Sequence, residues 1–586
     1  MCRIAAIISP NSPQLAPAIK RLCQAMQHGG PDGEGFFVDE IKGLALGHRR
    51  LSLLDLTEAG AQPMLDASAR YQIIYNGELY NFQTLKQELQ QLGYRFQSHT
   101  DTEVVLYAFI AWGVEAFKRF NGMFALAIYD THTSELCIAR DEVGIKPLYV
   151  YQENKELIIA SELRAFSAYD AQWPKAKDWE LYFLAFGFIP EPLTQLQSVR
   201  ALSPGTYQVF NQEAQCIRKG SFAQLHSSAS ITEESIAVAE IRKSLSAAVQ
   251  RQLVADAPIG VFLSGGLDSS ILTAIASQYK QPLHTLSLAF EHSGLSEAPY
   301  QQAVADAYAT QHTCYTLGAD TFYEHLADIH KALDQPSNDG VNTYFISKYA
   351  EEQGLKTVLS GLGADEILGG YPSFKHAHRL KQITKLPYFT LEIIQQFLSG
   401  DKWKRLSYLY AQRQQNIYLV NRGLFAPSQI ADILNCSLQE VQAALNNLED
   451  IAIDPHLPIL EQNAWREFKG YMRNQLLRDA DVMSMWHGVE IRVPFLDQEF
   501  LKLVWSMDPA IKYNSSKGKH LLIEAFKKEL PTAVWDRAKQ GFTLPFQQWM
   551  QAMPLHKESP STTAYYKAFR QQQLHWSKLW VLEQLG

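Results

Sequence analysis

The run "PIGVFLSGGLDSSILTAIASQY", residues 258–279, limits the fold of this 586-residue chain more than any other stretch. Its unbroken apolar start reads as a strand buried on both faces, a Ser-Gly-Gly turn follows directly, and "ILTAIASQY" carries helical spacing. "PLHTLSLAF" and "LKTVLSGLGADEILGGY" repeat the alternation of apolar strand and helix. That alternation predicts a mostly parallel, doubly wound sheet with helices on both faces. Residues 2 to about 210 read differently. Short runs such as "YQIIYNGELYNF", "GMFALAIYD" and "ELIIASEL" between Gly, Asp and Asn turns predict strands, with one helical pattern from Thr84 to Leu92. Between the two regions "GSFAQLHSSASITEES" is Ser-rich and patternless, a linker with Thr232 placed to cap the next helix. Two domains are therefore expected, 2–215 and 230–586, the second mainly helical beyond about residue 375.

Length agrees, since single cores stop growing near ~250–300 residues. A hydrophobic content of 46% and a charged content of 19% describe a soluble globular chain with a core in each part. The net charge of −8 and the absence of a Lys/Arg run argue against a nucleic-acid partner. The six cysteines have no paired CxxC spacing, which disfavours a zinc site or disulfide framework and fits a reducing cytoplasm. Neither a signal-peptide pattern nor a run of ~18 apolar residues is present, so export and membrane insertion are not expected.

In "VFLSGGLDSS" the residues Ser264, Gly265 and Gly266 let the backbone approach an anion, and the following helix N-terminus directs free N–H groups at it. Ser269 and Ser270 add hydroxyl donors. Asp268 would repel phosphate unless a divalent cation lies between, which predicts Mg²⁺. The string is neither a Walker A loop nor GxGxxG. It is similar to the pyrophosphate loop of enzymes that cleave ATP between its α and β phosphates. "LSGLGADE" brings Asp365 and Glu366 to a second glycine turn, and in such a sheet the strand ends meet at one edge. Asp268 and Asp365 are the metal candidates.

Position two raises a separate question. A cysteine in a short apolar run often starts an edge strand as a small hydrophobe. With the initiator methionine removed, however, Cys2 would carry both a thiol and an α-amine titrating near ~8, a nucleophile and a base in one residue. Arg50 can grip a carboxylate, Asp101 can take an ammonium, and Asn76 with the Gly77 N–H can form an oxyanion hole. These are the parts of a glutaminase.

Together these motifs resemble the glutamine-hydrolysing asparagine synthetases over essentially the whole chain. "PDGEG", "GHRRLS", "YNGELYN", "TDTE" and "RDEVGIKPLY" are similar to the class II amidotransferase domain, an N-terminal-nucleophile hydrolase αββα sandwich. "LSGGLDSS", "SGLGADE", "VMSMWHGVEIRVPFLD" and "KQGF" are similar to the synthetase domain, an adenine-nucleotide α-hydrolase-like fold with a helical C-terminal part. The resemblance implies that Cys2 is the nucleophile, that Arg50, Asn76, Gly77, Glu78 and Asp101 form the glutamine pocket, and that Asn76 and Gly77 are the oxyanion donors. It further implies that Leu263, Leu288, Ser360 and Gly361 touch ATP, that the loop from Ser264 to Ser270 with Asp268 and Asp365 holds pyrophosphate and Mg²⁺, and that Lys539 steadies charge during adenylation. Ammonia would travel between the two sites, with "VMSMWHGVEIRVPFLD" as packing and tunnel wall.

Three positions depart from the family pattern. Arg3 follows the nucleophile where a glycine is usual, and Gly29 stands where His-Arg-Gly-Pro-Asp has its arginine. A guanidinium at position 3 could lower the thiol pKa if it points inward and replace the charge missing at 29, or it could point to solvent. Leu362 occupies a position generally acidic in asparagine synthetases, which removes a base unless Glu366 or Glu490 substitutes. "LDQPSNDGVNTY" (333–344) is expected to help line the acceptor site. The expected activity is ATP- and glutamine-dependent amidation of a carboxylate, first L-aspartate, alternatively a sugar acid or biosynthetic intermediate. A reading of another class is a non-catalytic regulatory N-terminal module. Partners are small molecules, with a homodimer the one assembly considered.

Overall fold

The computed structural model describes residues 2–10, 14–291, 296–387, 389–391, 393, 400–411, 413–514, 518–537, 541, 544–552 and 559–585. The first domain stacks two six-stranded antiparallel sheets. One runs, in spatial order, Val199–Ala201, Tyr149–Glu153, Glu156–Ala160, Arg3–Ile8, Leu44–Arg50 and Gly33–Asp39. The other runs Cys216–Ser221, Thr206–Phe210, Glu135–Arg140, Gly122–Asp130, Tyr71–Leu79 and Met64–Leu65.

Strand alternation sorts the side chains of Arg3–Ile8 between two cores. Ile4, Ala6 and Ile8 join Ile74, Ala125 and Ile138 between the sheets. Ala5 and Ile7 face outward against Ile19 and Leu22 of the helix Leu15–Ala25. The outer face of the second sheet packs on the helices Phe82–Gln91 and Asp101–Trp112. The result is the expected αββα layering. Arg3–Ile8 is a central strand, not the edge strand its short apolar run suggests, because it pairs on both sides. Asp101–Trp112 eluded the helical pattern because Val104, Val105, Leu106 and Ala108 are all buried, leaving no polar face.

Beyond the edge strand Cys216–Ser221 the chain crosses to the second domain, where the Ser228 and Ile231 N–H groups bond to the Trp505 and Ser506 carbonyls. The helix Glu234–Gln252 then begins with Glu233 at its cap position and no side-chain cap bond, so Thr232 does not cap it.

The second domain is built on a parallel sheet in the order Gln311–Leu317, His284–Phe290, Ile259–Phe262, Thr357–Leu359, Glu490–Arg492. Successive strands step away from Ile259–Phe262 on one side, and the chain then returns to its other side at Thr357–Leu359. This reversal is the switch point at which open α/β sheets bind ligands. Glu490–Arg492 is a strand within the mainly helical C-terminal region, too short at three residues for a strand pattern to register. That region includes a continuous rod of Ile459–Arg466, the π-helical Glu467–Leu477 and Arg478–Met485. One apolar cluster runs through both domains, joining Phe183, Phe186 and Ile189 of the first to Phe425, Met483 and Leu496 of the second. No helix among the described residues is long and apolar enough to cross a membrane, and all six cysteines are free.

Candidate active sites

The pairing of Arg3 with Arg49 brings Cys2, just outside the strand, alongside Arg50. A small cavity there is lined by Cys2, Arg50, Gly77, Glu78 and Asp101, five of the six predicted glutamine-site residues. Asn76 does not line it. Asn76 is fully buried next to Gly77, and both polar atoms of its amide lack a partner among the described residues. Arg50 is aimed by backbone carbonyls: Nη1 donates to Thr57 O (2.7 Å) and Nη2 to Asp55 O (2.5 Å). It has no carboxylate partner among the described residues, so its charge is available to a ligand. The Cys2 thiol donates a long bond to the Leu51 carbonyl (3.9 Å). Burial pushes that thiol up, with the Leu51 backbone and Arg50 pulling the other way. A neighbouring base is needed to ionise it.

Asp101 opens its helix immediately after Thr100, whose hydroxyl caps it by accepting the Glu103 N–H. Asp101 Oδ2 accepts the Leu79 N–H (2.8 Å), and burial raises its carboxyl to about 6. Glu78 is raised further by burial against the opposing pull of Arg492. Arg492, fully buried, reaches Glu78 (3.2 Å) from the second domain while its Nε donates to Glu490 (2.6 Å).

Arg3 corrects both sequence expectations. It points neither at the thiol nor at solvent. Its side chain is fully buried, with Nε on Glu162 (2.5 Å) and Nη1 on Asp481 of the second domain (2.9 Å). Lys146 also meets Asp481 (2.7 Å) and Arg164 meets Glu162 (2.7 Å), so three cations and two carboxylates close the interface there.

The second site sits at the switch point. Gly265 takes φ +80° in the turn after Ile259–Phe262, and the helix Leu267–Ala276 begins with Gly266 as its cap. The turn braces itself: the Ser264 N–H donates to Ser269 Oγ (3.1 Å), and the Ser270 hydroxyl to Gly266 O (2.7 Å). Ser360 and Gly361 form the adjacent turn, the Ser360 N–H bonding to Arg492 O (2.9 Å). A Cβ on Gly361 would lie 2.9 Å from Asp268 Cβ, so glycine lets the two turns touch. Leu263 and Leu288 are buried at the same edge of the sheet, and Leu288 O accepts from Gln301 (3.2 Å).

Asp268 and Asp365 do converge, and they do so on a lysine. Lys519 Nζ lies 2.6 Å from Asp268 Oδ2 and 2.7 Å from Asp365 Oδ1, and the two carboxylates raise its pKa. Two carboxylates facing a phosphate-type loop are a donor set that suits Mg²⁺ shared with substrate phosphates. Among the described residues no cluster of three or more His, Cys, Asp or Glu forms a metal site without such a substrate. Arg537 donates to Gly265 O (3.0 Å) and pairs with Glu297 (2.5 Å). Lys519 and Arg537 were not picked out by motif. Charge balance could have found them, since two aspartates beside a polyphosphate require cations. Lys539 lies outside the described residues.

Leu362 is half-buried against the core of the second domain. Of its two suggested replacements, Glu490 is held by Arg492 towards the first domain, whereas Glu366 accepts the Tyr371 hydroxyl (2.5 Å) one residue from Asp365. Residues 482–497 are almost all buried, as packing requires.

Two family profiles cover the chain, Glutamine amidotransferase domain over residues 1–220 and Asparagine synthase over 240–563. Asparagine synthetase (glutamine-hydrolyzing) 1 of Bacillus subtilis (strain 168) is 31% identical over 91% of this chain and 84% of its own length. Asparagine synthetase B (glutamine-hydrolyzing) of Escherichia coli (strain K12) is 26% identical over 93% and 82%. A putative asparagine synthetase (glutamine-hydrolyzing) 2 of Methanocaldococcus jannaschii is 35% identical over 66% and 79%. With an amidotransferase sandwich joined to a synthetase sheet, and with the Bacillus subtilis and Escherichia coli relatives matched over more than nine-tenths of this chain, the chain belongs to the glutamine-hydrolysing asparagine synthase family.

Proposed function

We propose that this chain makes an amide from an acceptor carboxylate, ATP and glutamine. In the first domain the Cys2 thiol, deprotonated by the α-amine it gains once methionine is removed, attacks the glutamine side-chain amide. Arg50 holds the substrate carboxylate and Asp101 its ammonium, while Asn76 and the Gly77 N–H stabilise the oxyanion. Ammonia leaves, and water hydrolyses the thioester to glutamate.

In the second domain an acceptor carboxylate oxygen attacks the ATP α-phosphorus, pyrophosphate departs, and an acyl-adenylate forms. Ammonia then attacks the acyl carbon, AMP leaves with the carboxyl oxygen, and the nitrogen loses a proton to give the amide. The turn from Ser264 to Ser270 and Lys519 cradle the pyrophosphate, Leu263, Leu288, Ser360 and Gly361 contact the nucleotide, and Lys539 offsets charge on the reacting group. Asp268 and Asp365 would hold Mg²⁺, which neutralises phosphate charge when bound.

The observation that carries the reading is the convergence of Cys2, Arg50 and Asp101 on one cavity in a chain whose second site, at the switch point of the parallel sheet, pairs Asp268 and Asp365 through Lys519. L-Aspartate is the first acceptor, by the names of the relatives. A different carboxylate is the second reading, and Leu362 favours it. A product assay with Mg·ATP, glutamine and aspartate tests the proposal: AMP and asparagine in equal amounts support aspartate, and glutamate without AMP moves the search to another acceptor. No glutamate at all would favour a non-catalytic first domain.

A further inference from the structure

At the seam of the two domains lies a cavity of about 280 Å³, near the lower end of the ~300–1,000 Å³ of ligand sites. Phe186 of the first domain forms one side. Asn338, Asp339 and Asn342, from the stretch expected to line the acceptor site, form another, and Tyr418, Tyr471 and Trp580 contribute flat faces. Phe186 and Tyr418 stack at 6.1 Å.

Its polar lining is not fully used. Tyr418 is only 2% exposed, yet its hydroxyl has no partner among the described residues, and neither has Asn338 Oδ1. Buried polar atoms are rarely left so, and a missing ligand is a ready explanation. The cavity also backs onto the second site. Arg422 is sandwiched between the Tyr371 and Tyr471 rings, at 4.3 and 4.0 Å, and the Tyr371 hydroxyl bonds to Glu366, the neighbour of Asp365.

The charges discriminate between acceptors. Aspartate has two carboxylates and an ammonium, so the carboxylate that does not react needs a cation. Arg422 lines the cavity, but its charge is already met by Glu467 (Nε to Oε2 3.0 Å, Nη2 to Oε2 2.8 Å). Asp339 also lines it and accepts from Tyr471 (3.4 Å); it can take an ammonium but supplies no cation for the second carboxylate. His575, the other basic residue in the wall, has its pKa lowered by burial, which disfavours its cationic form. A molecule with a single carboxylate, hydroxyl groups and a ring with an apolar face satisfies every side: hydroxyls for Asp339, Asn338 and Tyr418, and a C–H face for the aromatic rings.

We propose that this cavity holds the body of the acceptor and that the acceptor is a sugar acid, amidated at its one carboxylate. The inference rests on the amidation reading above and specifies its second alternative.

The test uses the full chain with Mg·ATP and ammonium chloride, so that glutamine hydrolysis does not limit it, and measures AMP and amide with L-aspartate, D-glucuronate or D-galacturonate. We expect at least one uronate to exceed aspartate in kcat/KM by about tenfold or more, since a site built to bond hydroxyls discriminates strongly. Tyr418→Phe should raise the uronate KM by about three- to tenfold and leave glutamate release from glutamine unchanged. Aspartate equal to or better than both uronates, or a uronate KM unmoved by Tyr418→Phe, overturns the inference and leaves the amidation reading standing. AMP with none of the three acids also overturns the inference and moves the search to another carboxylate.

Discussion

A Cβ built on Gly29 would lie 2.8 Å from Arg3 Nε and 2.9 Å from Arg3 Cγ, so the Arg3 side chain occupies the space into which residue 29 would grow. The two departures from the family pattern are therefore one. Where the pattern has glycine after the cysteine and arginine in the turn, this chain has the reverse, and the guanidinium enters from residue 3. There it is fully buried between Glu162 and Asp481, one carboxylate from each domain.

Mutants at these positions should be strongly non-additive. Gly29→Ala should cost about 1–3 kcal/mol through overpacking against Arg3, and much less in an Arg3→Gly background. Arg3→Gly alone should cost about 1.5–3 kcal/mol, because Glu162 and Asp481 each lose a charge-assisted bond while Arg164 stays on the first and Lys146 on the second. Arg3→Gly with Gly29→Arg should recover most of that. Urea unfolding of the parent and these four variants measures the coupling, and additive values would mean that the exchange is coincidental.

Asp101, proposed to hold the glutamine ammonium, is expected to set the acid side of glutamine hydrolysis. Its carboxyl is raised to about 6, first by burial, with Glu490 adding to the shift and the Leu79 N–H, Tyr75 and Arg492 opposing it. Binding the ammonium of glutamine requires the carboxylate, so kcat/KM for glutamine should fall below about pH 6, whereas kcat at saturation is less affected. The stability effect has the opposite sign. A carboxyl raised above its unfolded value of ~3.9 stabilises the fold in its protonated form, and that contribution is lost as pH rises from about 4 to about 6. Asp101→Asn should abolish the acid limb and raise KM throughout. A limb that survives in the variant would assign it to another group, Glu78 being the nearest candidate.

The two folds, the parallel sheet and the glycine turn after its central strand were legible because each depends on local pattern: an apolar strand, glycines and a helix in sequence. Most of the residues proposed to hold glutamine were picked out through family motifs, and they converge on one cavity because strand pairing brings Cys2 to Arg50 and one long strand carries Gly77 and Glu78. What stayed hidden depends on contacts between distant segments. Lys519 meets Asp268 across some 250 residues of chain, and neither neighbourhood signals the other. Arg3 looked like a choice between thiol and solvent because its real partners, Glu162 and Asp481, come from a different sheet position and a different domain. Helix Asp101–Trp112 was hidden for the opposite reason: burial on all sides erased its period.

Gly60 controls the aim of Arg50. A Cβ there would lie 2.1 Å from Arg50 Nη2, and the guanidinium, at the end of a flexible side chain, would move to relieve it. The contacts to Asp55 O and Thr57 O would then break or shift. Gly60→Ala should therefore raise the glutamine KM by about tenfold, the value of one charge-assisted contact, while changing unfolding stability by only about 0.5 kcal/mol. Steady-state glutaminase kinetics beside a urea curve separate the two; a stability loss with unchanged KM would show that the backbone, not Arg50, gives way.

Lys519 and the proposed Mg²⁺ would compete for the same carboxylates, and this makes the second site testable without knowing the acceptor. In the absence of substrate, Nζ neutralises Asp268 and Asp365 at 2.6 and 2.7 Å. With ATP present, the lysine can turn its charge to pyrophosphate and release the aspartates to the metal. Lys519→Met removes the competitor and leaves two carboxylates facing each other, a pair that favours a divalent cation. Added MgCl₂ should raise the Tm of the variant more than that of the parent protein, while AMP formation falls about 10²- to 10³-fold for want of a cation at the departing pyrophosphate. Glutamate release should be unchanged, because the first site shares no side chain with this cluster. Equal Mg²⁺ shifts in the two proteins would mean that Asp268 and Asp365 do not hold the metal and that their pairing with Lys519 is purely structural.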